Sequence, residues 1–504
     1  MVTCVKKQTF IKSIFFIVFL AALLSSCASA PAAPEDTAEP DGFPAYCALP
    51  EGSPVSAGSF DLSSGPVGVA EYRLAAGCGC TADARCYRMQ NGDSVFAASI
   101  RPDGAVLQEE PAETIRVFEI ERGSIEVRYY RDGAWVSSCE EGLYSAGCVF
   151  LETDEDSYIF YLPQMAEHIE NGCVRMIPEQ SGVLILTRTD SGRWTAEVSV
   201  PAPAEGCSAD FFLLRASGRP VGRDSEDETS LWQILTNDGT WRMLYDGYYF
   251  ASPDTYEPAG ENVFANRPAC HLARVLIYHG GEFPAMAELN TFVLDTMLRG
   301  CGEDGYWPSG AKSTWLSADY GIGAGYYDTR FNSDLIETLL LEYEETAWPE
   351  TAEAVGTYLD FYLPFAETYG WTTEGGGLFV PDYYYPGMKT PHTALNHQLA
   401  EISVLYRAAE ILGREDCRIL AGRMLFAIEE TQDSWIKEDG NLEYAVYPDG
   451  QFGGTDYPFL TYNDLFSLQE LLSGMGMDRS GGLQKLMDSK RSWMDRNGIT
   501  DYSR

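Results

Sequence analysis

Three tyrosines late in the chain each sit in a short polar segment. Tyr385 lies in Asp382-Tyr-Tyr-Tyr-Pro386, Tyr444 in Asn441-Leu-Glu-Tyr-Ala445, and Tyr457 in Asp456-Tyr457-Pro458. A phenol moves protons near neutrality only if its pKa, ordinarily about 10, is lowered by its surroundings. Two such groups facing each other across a bound molecule could take up and return a proton. Arg330, Asn332, Asn396 and His397 are the nearby cations and hydrogen-bonding groups that could hold a bound substrate. Four carboxylates in the surrounding loops, Asp328, Glu374, Asp382 and Asp456, offer a second chemistry: hydrolysis by a paired acid and base. Trp307, Trp315, Tyr326 and Tyr327 supply flat rings on which a sugar face could stack.

The elements that must position these residues are helical. From about residue 260 the apolar period becomes helical, and it predicts helices over 261–280, 284–299, 333–346, 350–369, 392–412, 416–435, 459–473 and 481–496. In 392–412, Thr390 can cap, Pro391 suits the first helical position, and Leu395, Leu399, Ile402, Tyr406 and Ala409 form one stripe before Gly413. Eight helices in pairs, joined by long aromatic loops, predict an incomplete α/α toroid with its cleft built from those loops. Before them the pattern is β. Ser124–Tyr130, Val183–Thr187 and Trp194–Val200 read as short antiparallel strands separated by Gly-rich turns, and 217–229 as a polar break.

Composition narrows the partners. Lys+Arg total 35 against 75 Asp+Glu, a net charge of −40, so binding to nucleic acid or to an anionic membrane surface lacks its basic footprint. Lys6, Lys7 and Lys12 precede the apolar run Ile14–Leu24, which is short for a membrane span and ends in Leu24-Ser-Ser-Cys27, as an export signal does. Residues 27–45 read as an acidic Pro/Ala-rich tether. Eight cysteines between Cys47 and Cys207 predict disulfides in an exported β region. Cys78, Cys80 and Cys86 lack paired C-x2-C spacing and a nearby His, and His392 and His397, five apart on one expected helix, diverge. No P-loop, H-E-x-x-H, dinucleotide-binding glycine motif or G-x-S-x-G elbow is present, so neither a metal nor a cofactor is expected.

The order of these segments resembles the C-terminal domain of D-glucuronyl C5-epimerases, over roughly 300–496. That family has a Glu-Tyr-Pro loop, a Leu-Asn-Gly helix start, a Tyr-Asp-Leu-Arg-His segment and an Asp-Tyr-His loop before a Leu-rich helix. Here Tyr385 stands at the Tyr of the first, Leu395-Asn396-His397 at the second, Tyr444 at the Tyr of the third and Tyr457 at that of the fourth. The chain departs where Tyr384 replaces the acidic residue of the loop and Ala445-Val446-Tyr447-Pro448 replaces the basic segment. The Leu-Ser-Ser-Cys27 ending resembles a bacterial lipobox, which implies a diacylglycerol on Cys27.

These readings give a signal peptide at 1–26, a tether at 27–45, a disulfide-bearing β region at 46–255 and the toroid at 256–504. The fold class is α+β multidomain, with an N-terminal antiparallel β region followed by a C-terminal incomplete α/α toroid. The resemblance implies a protein anchored on the extracytoplasmic side of the cell envelope. It would contact the membrane only through its lipid and act on a polysaccharide, with Tyr385, Tyr444 and Tyr457 transferring a proton at C5 of a uronate. The alternatives are a non-catalytic glycan-binding lipoprotein and a toroid glycoside hydrolase or lyase.

Overall fold

The computed structural model of the protein describes residues 54–104, 113–145, 147–218, 220–221, 226–236 and 239–502. The signal segment, the tether, Cys4, Cys27 and Cys47 lie outside the described residues.

Antiparallel sheet comes first and helices follow. The large sheet runs through ten strands in one path: Ser56–Leu62, Gly65–Gly77, Cys80–Arg88, Ser94–Pro102, Cys207–Ser217, Asp156–Ile169, Cys173–Met176, Val263–Asn266, Gly247–Ala251 and Trp241–Leu244. A four-stranded sheet stacks on one face of it, in the order Thr114–Arg122, Trp194–Pro201, Val183–Arg188 and Gly142–Tyr144. The alternation of strand side chains sets the layers. Phe160 and Phe211 face the small sheet, with Phe118 edge-on to Phe160 at 5.3 Å. Their neighbours Tyr161 and Phe212 face the other way, and Phe212 meets Phe292 of a helix at 5.3 Å. With both faces covered, Ser157–Leu162 and Asp210–Leu214 read as unbroken buried runs rather than alternating ones.

The expected disulfides are corrected: no disulfide joins any two of the ten described cysteines. Strand register gives the reason, since Cys80 opposes Gly77 and Pro102, Cys86 opposes Ala70 and Phe96, Cys148 opposes Tyr161, and Cys173 opposes Ala265. These cysteines serve as small apolar core residues. Burial pushes the Cys86 and Cys173 thiols up to about 11 and Cys270 and Cys417 to about 12, which keeps them protonated.

Among the described residues, the eight longest helices form four hairpins. Their first members, His271–Gly280, Thr329–Thr346, Leu395–Leu412 and Leu460–Gly474, make an inner layer that jointly lines a cavity of about 350 Å³. Their second members, Pro284–Arg299, Pro349–Tyr369, Glu415–Glu430 and Gly481–Arg496, back them as an outer layer. Three helix starts differ from the sequence reading by three residues or more, and the second inner helix begins at Thr329 in place of 333. Residues 263–266 form a strand, because Val263–Asn266 is paired on both sides by ladders. The third inner helix starts at Leu395, so Thr390 does not cap it and His392 is not helical. Its apolar stripe from Leu395 to Ala409 is buried and Gly413 ends it with φ 69°, as the pattern predicts.

Candidate active site

Because every inner helix is followed by an antiparallel return, the four loops leading into the inner helices gather at one end. Each brings a residue capable of chemistry: Arg267 before the first helix, Asp328 before the second, Asp382 and His392 before the third, Tyr457 before the fourth. Short ladders hold the loops together. Tyr327–Asp328 pairs with Tyr383–Tyr384, and Thr393–Ala394 pairs with Ala445–Val446. The two-residue period then sorts the side chains. Tyr327 and Tyr384 turn into the helical core, where Tyr327 meets the Tyr358 hydroxyl at 2.7 Å and Tyr384 packs on Phe365 and Tyr369. Asp328 and Tyr383 turn the other way, into the cluster between the loops.

Asp382 is the hub of that cluster and has no exposed surface. Both its oxygens accept from the Ala394 N–H, at 2.9 and 3.0 Å, in place of the expected cap on the third inner helix. Its carbonyl accepts from Thr329 N at 2.9 Å, at the start of the second. His392 Nε2 lies 3.4 Å and His397 Nδ1 3.7 Å from one of its carboxyl oxygens. Burial, with the Asp328 carboxyl nearby, holds Asp382 well above the usual carboxylate range, whereas the Ala394 N–H pulls the other way. Asp328 caps the second inner helix by accepting from Phe331 N at 3.0 Å. Burial raises it to about 7, held back by that N–H and by Arg267. Burial drives His392 down to about 4, and His397 well below its ordinary value with help from Arg330 and His392. Both imidazoles are therefore neutral at pH 7. His392 Nδ1 meets the Tyr320 hydroxyl at 2.8 Å, and His397 Nδ1 meets the Thr329 hydroxyl at 2.7 Å.

Aromatic rings roof the buried acids. Tyr383 contacts Trp315, Tyr326, His392 and His397 with ring centroids 5.7–6.0 Å apart. Tyr444 lies 5.6 Å from His392 and 5.9 Å from Tyr457. Trp315 stacks on His392 yet stays 38% exposed, and Tyr447 and Tyr457 keep 36% and 44% of their surface open, which makes an aromatic rim. Burial raises the Tyr444 and Tyr457 phenols above their ordinary range, and the Asp382 and Asp328 carboxyls add to it. A phenol that acts as a base near neutrality needs a lowered value, so these tyrosines are hydroxyl donors at neutral pH, not bases.

The other expected site residues divide clearly. Tyr385 is half-buried against the cluster of Leu316, Ile322, Tyr326 and Tyr383, with its hydroxyl beside the backbone at Gly323. Arg330 is bidentate to Asp464 at 2.7 and 3.2 Å and also pairs with Asp334, so its charge is already matched. Asn332 bridges the Trp307 backbone and the Asp328 carbonyl, entirely buried. Trp307, Tyr326 and Tyr327 are core residues with at most 2% exposure, so of the four expected stacking rings only Trp315 has open surface. Asn396 is buried with its Oδ1 lacking a hydrogen-bond partner among the described residues. Glu374 lies exposed in the Thr373–Gly377 turn. Asp456 is ion-paired with the buried Lys490 at 2.5 Å.

Arg267 and Tyr256 were not anticipated. The Arg267 guanidinium is sandwiched between the rings of Phe250 and Phe331, 4.0 and 4.4 Å from their centroids. It has no hydrogen-bond or ion-pair partner among the described residues. The Tyr256 hydroxyl meets the Tyr326 hydroxyl at 3.4 Å. Neither carried a sequence signal, because the rings that hold Arg267 come from a distant strand and a distant helix.

The buried acids set a pH dependence of stability. Burial raises Asp328 and Glu342 to about 7 and Glu401 to about 8, so the folded chain holds these protons more tightly than the unfolded chain. Their contribution is complete below the ordinary carboxylate range and is lost as pH rises through about 7 to 8. His392 runs oppositely: its contribution is present above 6.5 and lost as pH falls through about 4. The thermal midpoint is therefore expected to peak at mildly acidic pH and to fall between about pH 6 and 9; a rise over that interval would contradict these environments.

No family model and no curated protein matches the chain. Among solved structures, a D-mannose isomerase matches over 47% of this chain and 63% of its own, at 14% identity and a TM-score of 0.36. The chain thus spans less than two-thirds of that protein. A family 76 glycoside hydrolase from a bovine Bacteroides thetaiotaomicron strain matches over 80% of this chain and 75% of its own, at 10% identity and a TM-score of 0.37. A cellobiose 2-epimerase from Spirochaeta thermophila DSM 6192 matches over 54% and 69%, at 17% identity and a TM-score of 0.37.

Proposed function

We propose that this protein is a carbohydrate-active enzyme that transfers a proton at a sugar ring carbon, with C5 of a uronate residue in a polysaccharide as the reacting position. The observation that carries the reading is the juxtaposition of an unpaired guanidinium, Arg267, with a buried carboxyl, Asp328, that titrates near 7. A group with that pKa can take up and give back a proton at neutral pH. Breaking the C5–H bond sends its electron pair into the adjacent carboxylate, and Arg267 is placed to balance that charge. Return of a proton from the opposite face gives the epimer, and the Tyr444 and Tyr457 hydroxyls are the available donors. Loss of the C4 substituent from the same anion would instead give elimination. The rim of Trp315, Tyr447 and Tyr457 offers apolar surface to the flat faces of pyranose rings. Arg267 also answers the difficulty that a chain of net charge −40 poses for an acidic substrate, since it supplies positive charge where the substrate carboxylate would lie.

A second reading, glycoside hydrolysis, is favoured by the two buried carboxyls Asp328 and Asp382, which come from adjacent loops. The protein is to be incubated with uronate polysaccharides in deuterated water, with deuterium at C5 followed by NMR. Incorporation without chain cleavage supports proton transfer, cleavage that leaves a C4–C5 double bond marks elimination from the same anion, and cleavage to saturated ends without incorporation supports hydrolysis. Binding with none of these outcomes marks a non-catalytic protein. Arg267→Gln is expected to lower kcat/KM for exchange by about 100-fold, in the range seen for loss of one charge-stabilising donor. An unchanged kcat/KM would remove Arg267 from the site.

A further inference from the structure

A second cavity, of about 440 Å³, opens between the large sheet and the outer helix of the first hairpin and shares no residue with the cluster around Asp382. Two polar groups in its wall have nothing to bond. Arg85 is 3% exposed and Thr296 2% exposed, yet Arg85 Nε and Thr296 Oγ1 lack a hydrogen-bond partner among the described residues. Arg85 cannot turn to relieve its Nε–H. One terminal nitrogen donates to Asp295 at 3.1 Å, the other donates to the Tyr245 carbonyl, and the guanidinium lies over the Tyr245 ring at 4.2 Å. A buried donor fixed in place and unpaired is costly unless something enters to accept from it.

Charge decides what that something is. Three cations, Arg73, Arg85 and Arg299, are balanced in the wall by Glu71, Asp83 and Asp246. Arg299 is held by Glu71 at 2.5 Å and by Asp295 at 2.8 Å, so an anion would have to displace carboxylates already in place. A neutral ligand rich in hydroxyls meets no such competition. One hydroxyl oxygen can accept from Arg85 Nε–H and another can exchange a hydrogen bond with Thr296, while Tyr72 and Tyr245 provide apolar surface. The volume lies within the range of small-ligand sites. We infer that this cavity is an accessory binding site for one or two neutral pyranose rings, distinct from the proton-transfer site. It would hold a glycan to the sheet layer of the molecule.

The test uses the whole protein and saturation-transfer NMR with glucose, mannose, galactose, cellobiose and maltose, and with inorganic phosphate and glucuronate as anionic probes. At least one neutral sugar is expected to bind saturably, with affinity at least tenfold weaker in Thr296→Val and restored in Thr296→Ser. Asp328→Asn should bind that sugar as well as the unmodified protein does, and Thr296→Val should leave deuterium exchange unchanged. Failure of every neutral sugar to saturate by about 50 mM, near the weakest affinity such contacts give, overturns the inference. So does binding of phosphate or glucuronate alone, or neutral-sugar binding that Thr296→Val leaves untouched. Because exchange and sugar binding are read separately, either site can fail without the other.

Discussion

Asp328→Asn is expected to cut proton exchange at a saturating substrate concentration by about 10²- to 10⁴-fold, the span usual for loss of a general acid or base. The fold should survive. The amide oxygen can still accept from Phe331 N, where the carboxylate does so at 3.0 Å, and Asn caps helices as well as Asp does. A second signature separates chemistry from damage. Asp328 titrates at about 7, so the limb of the pH–rate profile near that value should disappear from whatever activity is left. Near-normal exchange in a folded Asp328→Asn protein would exclude this residue as the proton carrier. Asp382→Asn is the less informative change, because both Asp382 oxygens hold the start of the third inner helix and their loss would disturb several loops together.

The largest effect on stability should come from a residue that does no chemistry. Lys490 is fully buried and donates to Asp456 at 2.5 Å, to Asn441 Oδ1 at 2.6 Å and to the Tyr457 carbonyl at 2.7 Å. Burial pushes Asp456 up and Lys490 down, and their attraction for each other works against both shifts. Lys490→Met keeps the bulk but leaves Asp456 buried without its cation, a loss expected to cost about 3–5 kcal/mol in denaturant unfolding. The double variant Lys490→Met with Asp456→Asn should recover much of that, since the stranded charge is then gone. If the single variant lost less than about 1 kcal/mol, the pair would behave as a solvated surface bridge and not as a buried one. Tyr457 would feel the change as well, because its carbonyl is one of the three acceptors.

Periodicity carried the layout a long way. The alternation in Trp194–Val200 and the stripe from Leu395 to Ala409 are signals written within single elements, and each sits where its period places it, whereas the apolar run Val183–Thr187 forms its strand but is buried only at every second residue. The grouping of Tyr444, Tyr457, Asp328, Asp382 and His397 at one end also follows from chain order, once helices alternate with returns. What could not be read depends on partners far along the chain. Arg330 looks available until Asp464 is seen to hold it, and Arg267 looks ordinary until Phe250 and Phe331 close on it. Trp307 and Tyr327 stand in loops rich in glycine and tyrosine. A loop aromatic that turns inward has the same local sequence as one that turns out. The cysteines misled for a related reason: spacing suggests pairs, whereas only register shows that the cysteines of the sheet face other residues.

Asp382 ties two hairpins with one residue, its carboxyl to the start of the third inner helix and its carbonyl to the start of the second. The reacting groups are therefore tuned by the spacing between helices and not by the shape of either one. Exposed loop positions such as Lys389 and Thr390 should tolerate sequence drift without consequence for catalysis. A methyl group added or removed in the layer between the second and third inner helices has nowhere to dissipate, and would register as a change in turnover at a carboxyl it never touches.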